Sequence, residues 1–264
     1  MYATSYHRPS SVEDAARLLS GSEDAKYLAG GQTLIATMKQ RLAEPSDLVD
    51  LRHVDSMKGI KVEGRRVTIG AATTHAEVAA SAELRAACPA ICDLASLIGD
   101  PHVRHMGTIG GSLANNDPAA DYPAAVLGLG ATLVTNQRQI AADDFFEGLF
   151  DTALEEGEII TAITFEAPDK AGYAKFANPA SRFAMTGVFV AKAGGNVRVA
   201  VTGAGSEGVF RVSEMEAALS SQWSADVLSS ISVDPSNLMA DMHASAEYRA
   251  NLIKVMARRA VMAA

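Results

Sequence analysis

The sequence predicts an α+β chain whose texture changes near residues 165–172, and three observations carry that reading. Helix-capping signatures alternate with short apolar strand segments through the first half. A polar, glycine-dense stretch, "GTIGGSLANNDPAADYP" (Gly107–Pro123), interrupts the middle and is too poor in large side chains to build core. Beyond residue 171 the pattern turns to apolar strands around a Gly194-Gly195-Asn196 turn, followed by helical runs.

Taken in order, "RPSSVEDAARLL" opens with Ser10 and Glu13 at capping-box spacing and predicts a short amphipathic helix. "AKYLAGGQTLIATMKQRL" reads as strand, glycine turn and helix, and "DLVDL" as a short strand. "VEGRRVTIGAATTHAEVAAS" predicts a hairpin turning at Gly64, then a helix capped by Thr74 and Glu77. Residues 82–98 are helical, with Pro89 either starting a new helix or kinking the old one. "AAVLGLGATLVTNQRQIAADDFF" is expected to form apolar strands turning near Asn136, and "GEIITAITFEAP" a strand ending near Pro168. Two or three antiparallel strands follow in "AGYAKFANPASRFAMTGVFVAKAGGNVRVAVTGAG". "RVSEMEAALSS" and "EYRANLIKVMARRAVMA" are expected as helices.

Composition bounds the function. With 264 residues and 48% hydrophobic content the chain can build a sizeable core. Its 23 Lys and Arg against 31 Asp and Glu give a net charge of −8, and no basic cluster suggests nucleic acid. Cys88 and Cys92, spaced to share a helix face, read as small buried residues rather than a disulfide or a metal pair. No apolar run reaches membrane-span length, and "MYATSYHRPS" lacks a signal-peptide core, so a cytoplasmic protein is expected.

Two glycine pairs stand out, Gly30-Gly31 in "YLAGGQTL" and Gly110-Gly111 in "TIGGSLAN", each expected at the exit of a strand. Paired glycines permit unusual backbone and close approach, and the N–H groups freed at such a turn can converge on an anion. Gln32, Thr33, Thr108 and Ser112 could add side-chain donors, and Asp121 could accept bonds from sugar or polyol hydroxyls. Neither pair matches the Gly-x-Gly-x-x-Gly fingerprint or a P-loop, and a Gly-Gly after a strand is also a common plain turn.

Together, "YLAGGQTL", "IGDPHVRHMGTIGGSLANNDPAADYP", "EIITAITF", "YAKF" and "SAEYRANLIKVMARRA" resemble the FAD-binding medium subunit of the molybdenum hydroxylases, the aerobic carbon monoxide dehydrogenase and xanthine dehydrogenase family. The resemblance implies a two-subdomain FAD-binding fold of the p-cresol methylhydroxylase and vanillyl-alcohol oxidase type, followed by a C-terminal antiparallel sheet with helices. On this chain that divides into 1–55, 56–170 and 171–264. It implies a first pyrophosphate loop at Ala29, Gly30, Gly31, Gln32, Thr33 and Leu34, and a second at Thr108, Ile109, Gly110, Gly111 and Ser112. Asp121 would bond the ribityl or sugar hydroxyls, Ile160 would pack near the flavin or adenine, and Lys175 would lie close to the flavin ring. His102 and Arg104 would sit beside the cofactor. His105 stands where Asn is common, Asn178 where His often precedes "PAS", and "GSEGVF" replaces a more proline-rich loop.

The implied function is electron transfer by non-covalently bound FAD, with no catalytic side chain and no metal in this chain. Electrons would come from the [2Fe–2S] clusters of a small partner, which receives them from a large molybdopterin-binding partner, and would leave to an external acceptor. A dimer of heterotrimers is implied. Two rival readings are a self-sufficient FAD-dependent oxidase or dehydrogenase and an assembly scaffold that has lost FAD. The short C-terminal unit argues against the first and the intact glycines against the second.

Overall fold

The computed structural model describes residues 1–264. Its first sheet is parallel, in the order β1-β3-β2, from β1 (Ser5–His7), β2 (Ala25–Leu28) and β3 (Asp47–Asp50). Helix α1 (Val12–Ser20) connects β1 to β2, and α2 (Leu34–Lys39) connects β2 to β3. Because the strands are parallel, their carboxyl ends lie together, with Leu28 opposite Asp50. The glycine turn after β2 and the Leu51–Arg52 segment after β3 therefore emerge side by side, where parallel sheets bind ligands. The cap of α1 is Ser11, whose side chain accepts from the Asp14 N–H, one residue later than the expected Ser10–Glu13 box.

The second sheet is antiparallel, in the order β4-β5-β10-β6-β7. It comprises β4 (Ile60–Glu63), β5 (Arg66–Gly70), β6 (Thr132–Thr135), β7 (Gln139–Ala141) and β10 (Ile160–Glu166). Gly64 takes the turn between β4 and β5 at φ +62°. Six helices lie between β5 and β6: α3 (His75–Ala80), α4 (Ala82–Ala87), α5 (Pro89–Ser96), α6 (Pro101–Arg104), α7 (Ile109–Asn115) and α8 (Tyr122–Gly128). Thr74 and Glu77 make the full capping box of α3. Pro89 opens α5 as a new helix and Cys88 sits at the break, so the two cysteines do not share one continuous helix. Both thiols are free and buried, and burial pushes them up to about 12 and about 11.

Helix α8 corrects the expectation of a strand over "AAVLG". All seven of its residues are buried. A helix enclosed on every side carries no polar face, so its sequence lacks the 3.6-residue pattern that marks surface helices.

A small hairpin, β8 (Phe146–Gly148) and β9 (Asp151–Thr152), precedes β10. The third sheet runs β11 (Lys170–Ala177), β12 (Ala184–Ala193), β13 (Asn196–Thr202) and β14 (Phe210–Arg211), all antiparallel in that order. Strand alternation sends Phe189 and Ala191 of β12 into the main core with α8. Val188 and Val190 point the other way, into a second core closed by α9 (Ser213–Ser221) and α10 (Ala246–Ala263). Strand β12 is thus covered on both faces.

Candidate functional site

A cavity of about 720 Å³ runs along the junction of these elements, within the size range of small-molecule sites. One wall is the turn after β2: Ala29, Gly30, Gly31, Gln32, Thr33 and Leu34 all line it. Five consecutive backbone N–H groups there, from Gly30 to Leu34, donate to no other atom of the chain. Only a ligand or solvent can satisfy them. Gly31 has φ +72°, which a side chain would strain.

The facing wall carries Thr108, Gly110, Gly111 and Ser112. Here the structure corrects the sequence reading twice. The Gly110-Gly111 pair does not leave a strand but lies in the first turn of α7, capped by the Thr108 hydroxyl. Its N–H groups are also already bonded: Ile109 to Thr73 O, Gly110 to Ala71 O, Gly111 to Thr108 Oγ1 and Ser112 to Thr108 O. This segment therefore offers a ligand its hydroxyl groups rather than a row of amides.

The glycines also explain how the two segments meet. A Cβ on Gly30 would overlap the Met106 carbonyl oxygen and lie 2.5 Å from Gly107 Cα. One on Gly110 would be 2.5 Å from Ala71 Cβ, and one on Gly111 would be 2.9 Å from Ala29 Cβ. The missing side chains let the two walls touch at one end of a cavity that stays open beyond them.

Asp121, at the start of α8, reaches the cavity wall with its side chain 4% exposed. Its Oδ1 accepts from Tyr173 Oη at 2.6 Å and lies 2.9 Å from Lys175 Nζ. Burial pushes its carboxyl above the usual range, opposed by Lys175 and Tyr173. Lys175 itself is not on the wall. Its ammonium, 4% exposed, is held behind Asp121 by that carboxylate and by the Leu97 carbonyl at 2.9 Å. Three other expected site residues also lie off the wall. Ile109 is fully buried in the main core, His102 is exposed on α6, and Arg104, at the end of α6, is half-buried and donates to the Ile98 and Gly99 carbonyls. Ile160, at the start of β10, lines the cavity. Beside it Glu158 is fixed by Arg138, Thr135 and the Glu155 N–H. These bonds outweigh its burial and hold the carboxyl down to about 2.

Three wall features escaped sequence reasoning. Arg52 faces the cavity with its guanidinium clamped by Asp50, Nε to Oδ1 at 3.0 Å and Nη2 to Oδ2 at 2.6 Å. An Asp-x-Arg directly after a predicted strand of a parallel sheet was the available signal. Arg182 and Phe183, between β11 and β12, also line the cavity. His75 is the third: it is 5% exposed, lines the wall beside Gly107 and packs on Tyr122 with ring centroids 5.3 Å apart. Its Nδ1 and the Tyr122 hydroxyl are buried without partners.

Burial, with the nearby Arg104 charge, pushes His75 down to about 4, so the ring is neutral at pH 7. Unfolding restores its ordinary value of 6.5, so the unfolded state binds more protons between those limits and stability falls as pH drops from 6.5 toward 4. His75→Gln is expected to flatten that part of the stability curve, which denaturant titrations at pH 7, 6 and 5 would reveal. An unchanged slope would contradict the assignment.

No group of three or more His, Cys, Asp or Glu side chains is placed to hold a metal ion, and no helix is long and apolar enough to cross a membrane. The site pairs a loop rich in free amides, an arrangement suited to an anionic group, with a capped helix start that offers hydroxyls. Residues 2–167 match the family described as the FAD binding domain in molybdopterin dehydrogenase, and the chain belongs to that family. The match stops just before β11. It is 47% identical over 175 residues to the carbon monoxide dehydrogenase medium chain of Afipia carboxidovorans, an alignment covering 64% of this chain and 61% of that one. It is 34% identical to the nicotine 6-hydroxylase medium subunit of Paenarthrobacter nicotinovorans, covering 99% of this chain and 97% of that one. A chain of reconstituted CO dehydrogenase from Oligotropha carboxidovorans superposes with a TM-score of 0.87 at 36% identity, covering 100% of this chain and 98% of that one. These relatives are subunits of oxidoreductases, and the fold is the α+β arrangement of the carbon monoxide dehydrogenase medium chain, ending in an antiparallel sheet with helices.

Proposed function

We propose that this chain is the FAD-carrying electron-transfer subunit of a molybdenum hydroxylase complex. It would take electrons from the [2Fe–2S] clusters of a small subunit, supplied by a large molybdopterin-binding subunit, and deliver them to an external acceptor. The proposed setting is cytoplasmic, in a dimer of heterotrimers, with the chain divided into working units at 1–55, 56–170 and 171–264. The observation that carries the reading is the row of five unpaired N–H groups from Gly30 to Leu34 on the wall of a cavity of about 720 Å³.

These residues fit non-covalent FAD. The Gly30–Leu34 amides would donate to the pyrophosphate oxygens, joined by the hydroxyls of Thr33, Thr108 and Ser112 and by the Gln32 amide. Gly31, at φ +72°, would hold the turn in the shape that aims these amides at the phosphates. Ile160 would cover a ring face, and Asp121 would accept from a sugar or ribityl hydroxyl. Lys175 would act as a positioning residue, keeping Asp121 charged and aimed. When bound, FAD supplies reversible redox chemistry that no side chain here carries.

The test is reconstitution with molybdopterin-binding and iron–sulfur subunits followed by addition of their reducing substrate. The proposal predicts bleaching of the flavin bands only when both partners are present. Bleaching of the isolated chain by a small organic substrate would instead identify a self-sufficient enzyme.

A further inference from the structure

The hairpin β8–β9 is built to present two apolar side chains to solvent. Its base is anchored: Phe145 is fully buried and meets Phe146 edge-on at 5.1 Å. Its tip is the two-residue turn Leu149-Phe150 between the paired Gly148 and Asp151, and both side chains are exposed, at 44% and 60%. Phe150 sits at φ +58°, a left-handed conformation that turns of this kind reserve for Gly or Asn. A bulky aromatic residue there is costly and needs an outside constraint.

Asn116 supplies that constraint. It is 1% exposed and itself left-handed at φ +40°. Its side-chain amide donates to Gly148 O and Asp151 O, both at 2.8 Å, and its main-chain carbonyl accepts the Phe150 N–H at 3.1 Å. Its neighbours Asn115 and Asp117 line the cavity, so the tip is bonded directly to the cavity wall. The unpaired charge around the tip is acidic. Residues 143–156, "DDFFEGLFDTALEE", hold six carboxylates and no Lys or Arg. Asp143 is paired with Arg198 and Arg211, and Glu155 lies 3.5 Å from Arg138. Asp144, Glu147, Asp151 and Glu156 are exposed and have no Lys or Arg partner.

We propose that Leu149 and Phe150 form a docking knuckle for a partner subunit of the complex, whose surface offers an apolar socket edged by Lys and Arg. The charge selects this occupant: a second copy of the chain would bring another acidic ring and be repelled. A rigid aromatic anchor inside a polar rim is the usual composition of an interface hot spot. Holding the ring in place before contact lowers the ordering cost of binding.

The inference rests on the proposed subunit role, and its test separates the two. Phe150→Gly removes the ring but suits φ +58°, so a purely structural role predicts no loss of assembly. The affinity of the full chain for the molybdopterin-binding and iron–sulfur subunits is measured by surface plasmon resonance, with FAD content and thermal stability recorded in parallel. The expected result for Phe150→Gly is affinity at least ~30-fold weaker, as for a hot-spot truncation, with FAD content and stability retained. Glu147→Lys is expected to weaken binding too, and added salt to weaken the parent. Parent-like affinity in Phe150→Gly, or a dimer of the chain alone that dissolves with Phe150→Gly, would overturn the docking proposal. A parent chain that holds FAD yet binds neither subunit would overturn both proposals.

Discussion

Gly30→Ala is expected to abolish tight FAD binding and to destabilise the chain. The added methyl would meet the Met106 carbonyl oxygen and Gly107 Cα, which are main-chain atoms and cannot turn aside as a flexible side chain can. Overpacking of this kind costs about 1–3 kcal/mol, and contact with backbone places it at the upper end. For a chain of this size that lowers Tm by roughly 6–12 °C. Relief requires the turn after β2 to move away from the Met106–Gly107 segment, carrying with it the amides of Gly30 and Gly31. Losing one or two bonds to a charged ligand weakens FAD binding by ~100-fold or more. Gly64→Ala is the matched control. It also strains a left-handed glycine, at φ +62°, but its Cβ meets nothing within 4 Å. A cost of about 1 kcal/mol with unchanged FAD affinity is expected there. Thermal scans and flavin fluorescence titrations of both variants decide the matter, and FAD affinity in Gly30→Ala equal to the parent's would sink the loop assignment.

Lys175→Met is expected to cost about 3–5 kcal/mol at neutral pH, because it leaves the Asp121 carboxylate buried with only Tyr173 as partner. The pH dependence follows from Asp121. Burial already raises its carboxyl above the ordinary 3.8, and Lys175 opposes that rise. Without the ammonium the folded-state value climbs further. A raised carboxyl contributes stability that is complete below 3.8 and is lost as pH rises through the folded-state value. The Lys175→Met deficit is therefore smaller near pH 4 than at pH 8. Adding Asp121→Asn removes the buried charge and should recover much of the loss at pH 8. Denaturant unfolding of the two variants at both pH values is the measurement. A deficit independent of pH and of Asp121→Asn would show that Lys175 acts through packing alone.

The parts of this molecule that were legible in sequence are those written in local chemistry. The Thr74–Glu77 capping box, the Gly64 hairpin and the strands around Gly194-Gly195 depend on residues within a few positions of one another. Helix α8 was misread because full burial removed its periodicity. The α1 cap slipped by one residue because two adjacent serines offer the same chemistry, and it is the Ser11 side chain that accepts the Asp14 N–H.

The site divides along the same line. The turn after β2 announced itself through Gly30-Gly31, and its free amides are a local consequence of a turn that leaves a strand. The second glycine pair was located, but not the helix turn it occupies or the atoms it faces. What Gly110 and Gly111 face, Ala71 and Ala29, lies 39 and 82 residues away along the chain, and no local pattern records such contacts. Arg52 and His75 were missed for the same reason. The direction in which Asp50 turns the guanidinium, and the enclosure of the imidazole beside Gly107 and Tyr122, exist only once the first and second sheets are packed together.

An absorption spectrum of the purified chain before and after acid precipitation tests whether the cavity holds FAD. Flavin bands are expected in the native protein and should move entirely to the supernatant, with the released compound identified as FAD. Colour retained in the pellet would contradict non-covalent binding. A colourless chain that fails to take up added FAD would contradict the assignment of the cavity itself.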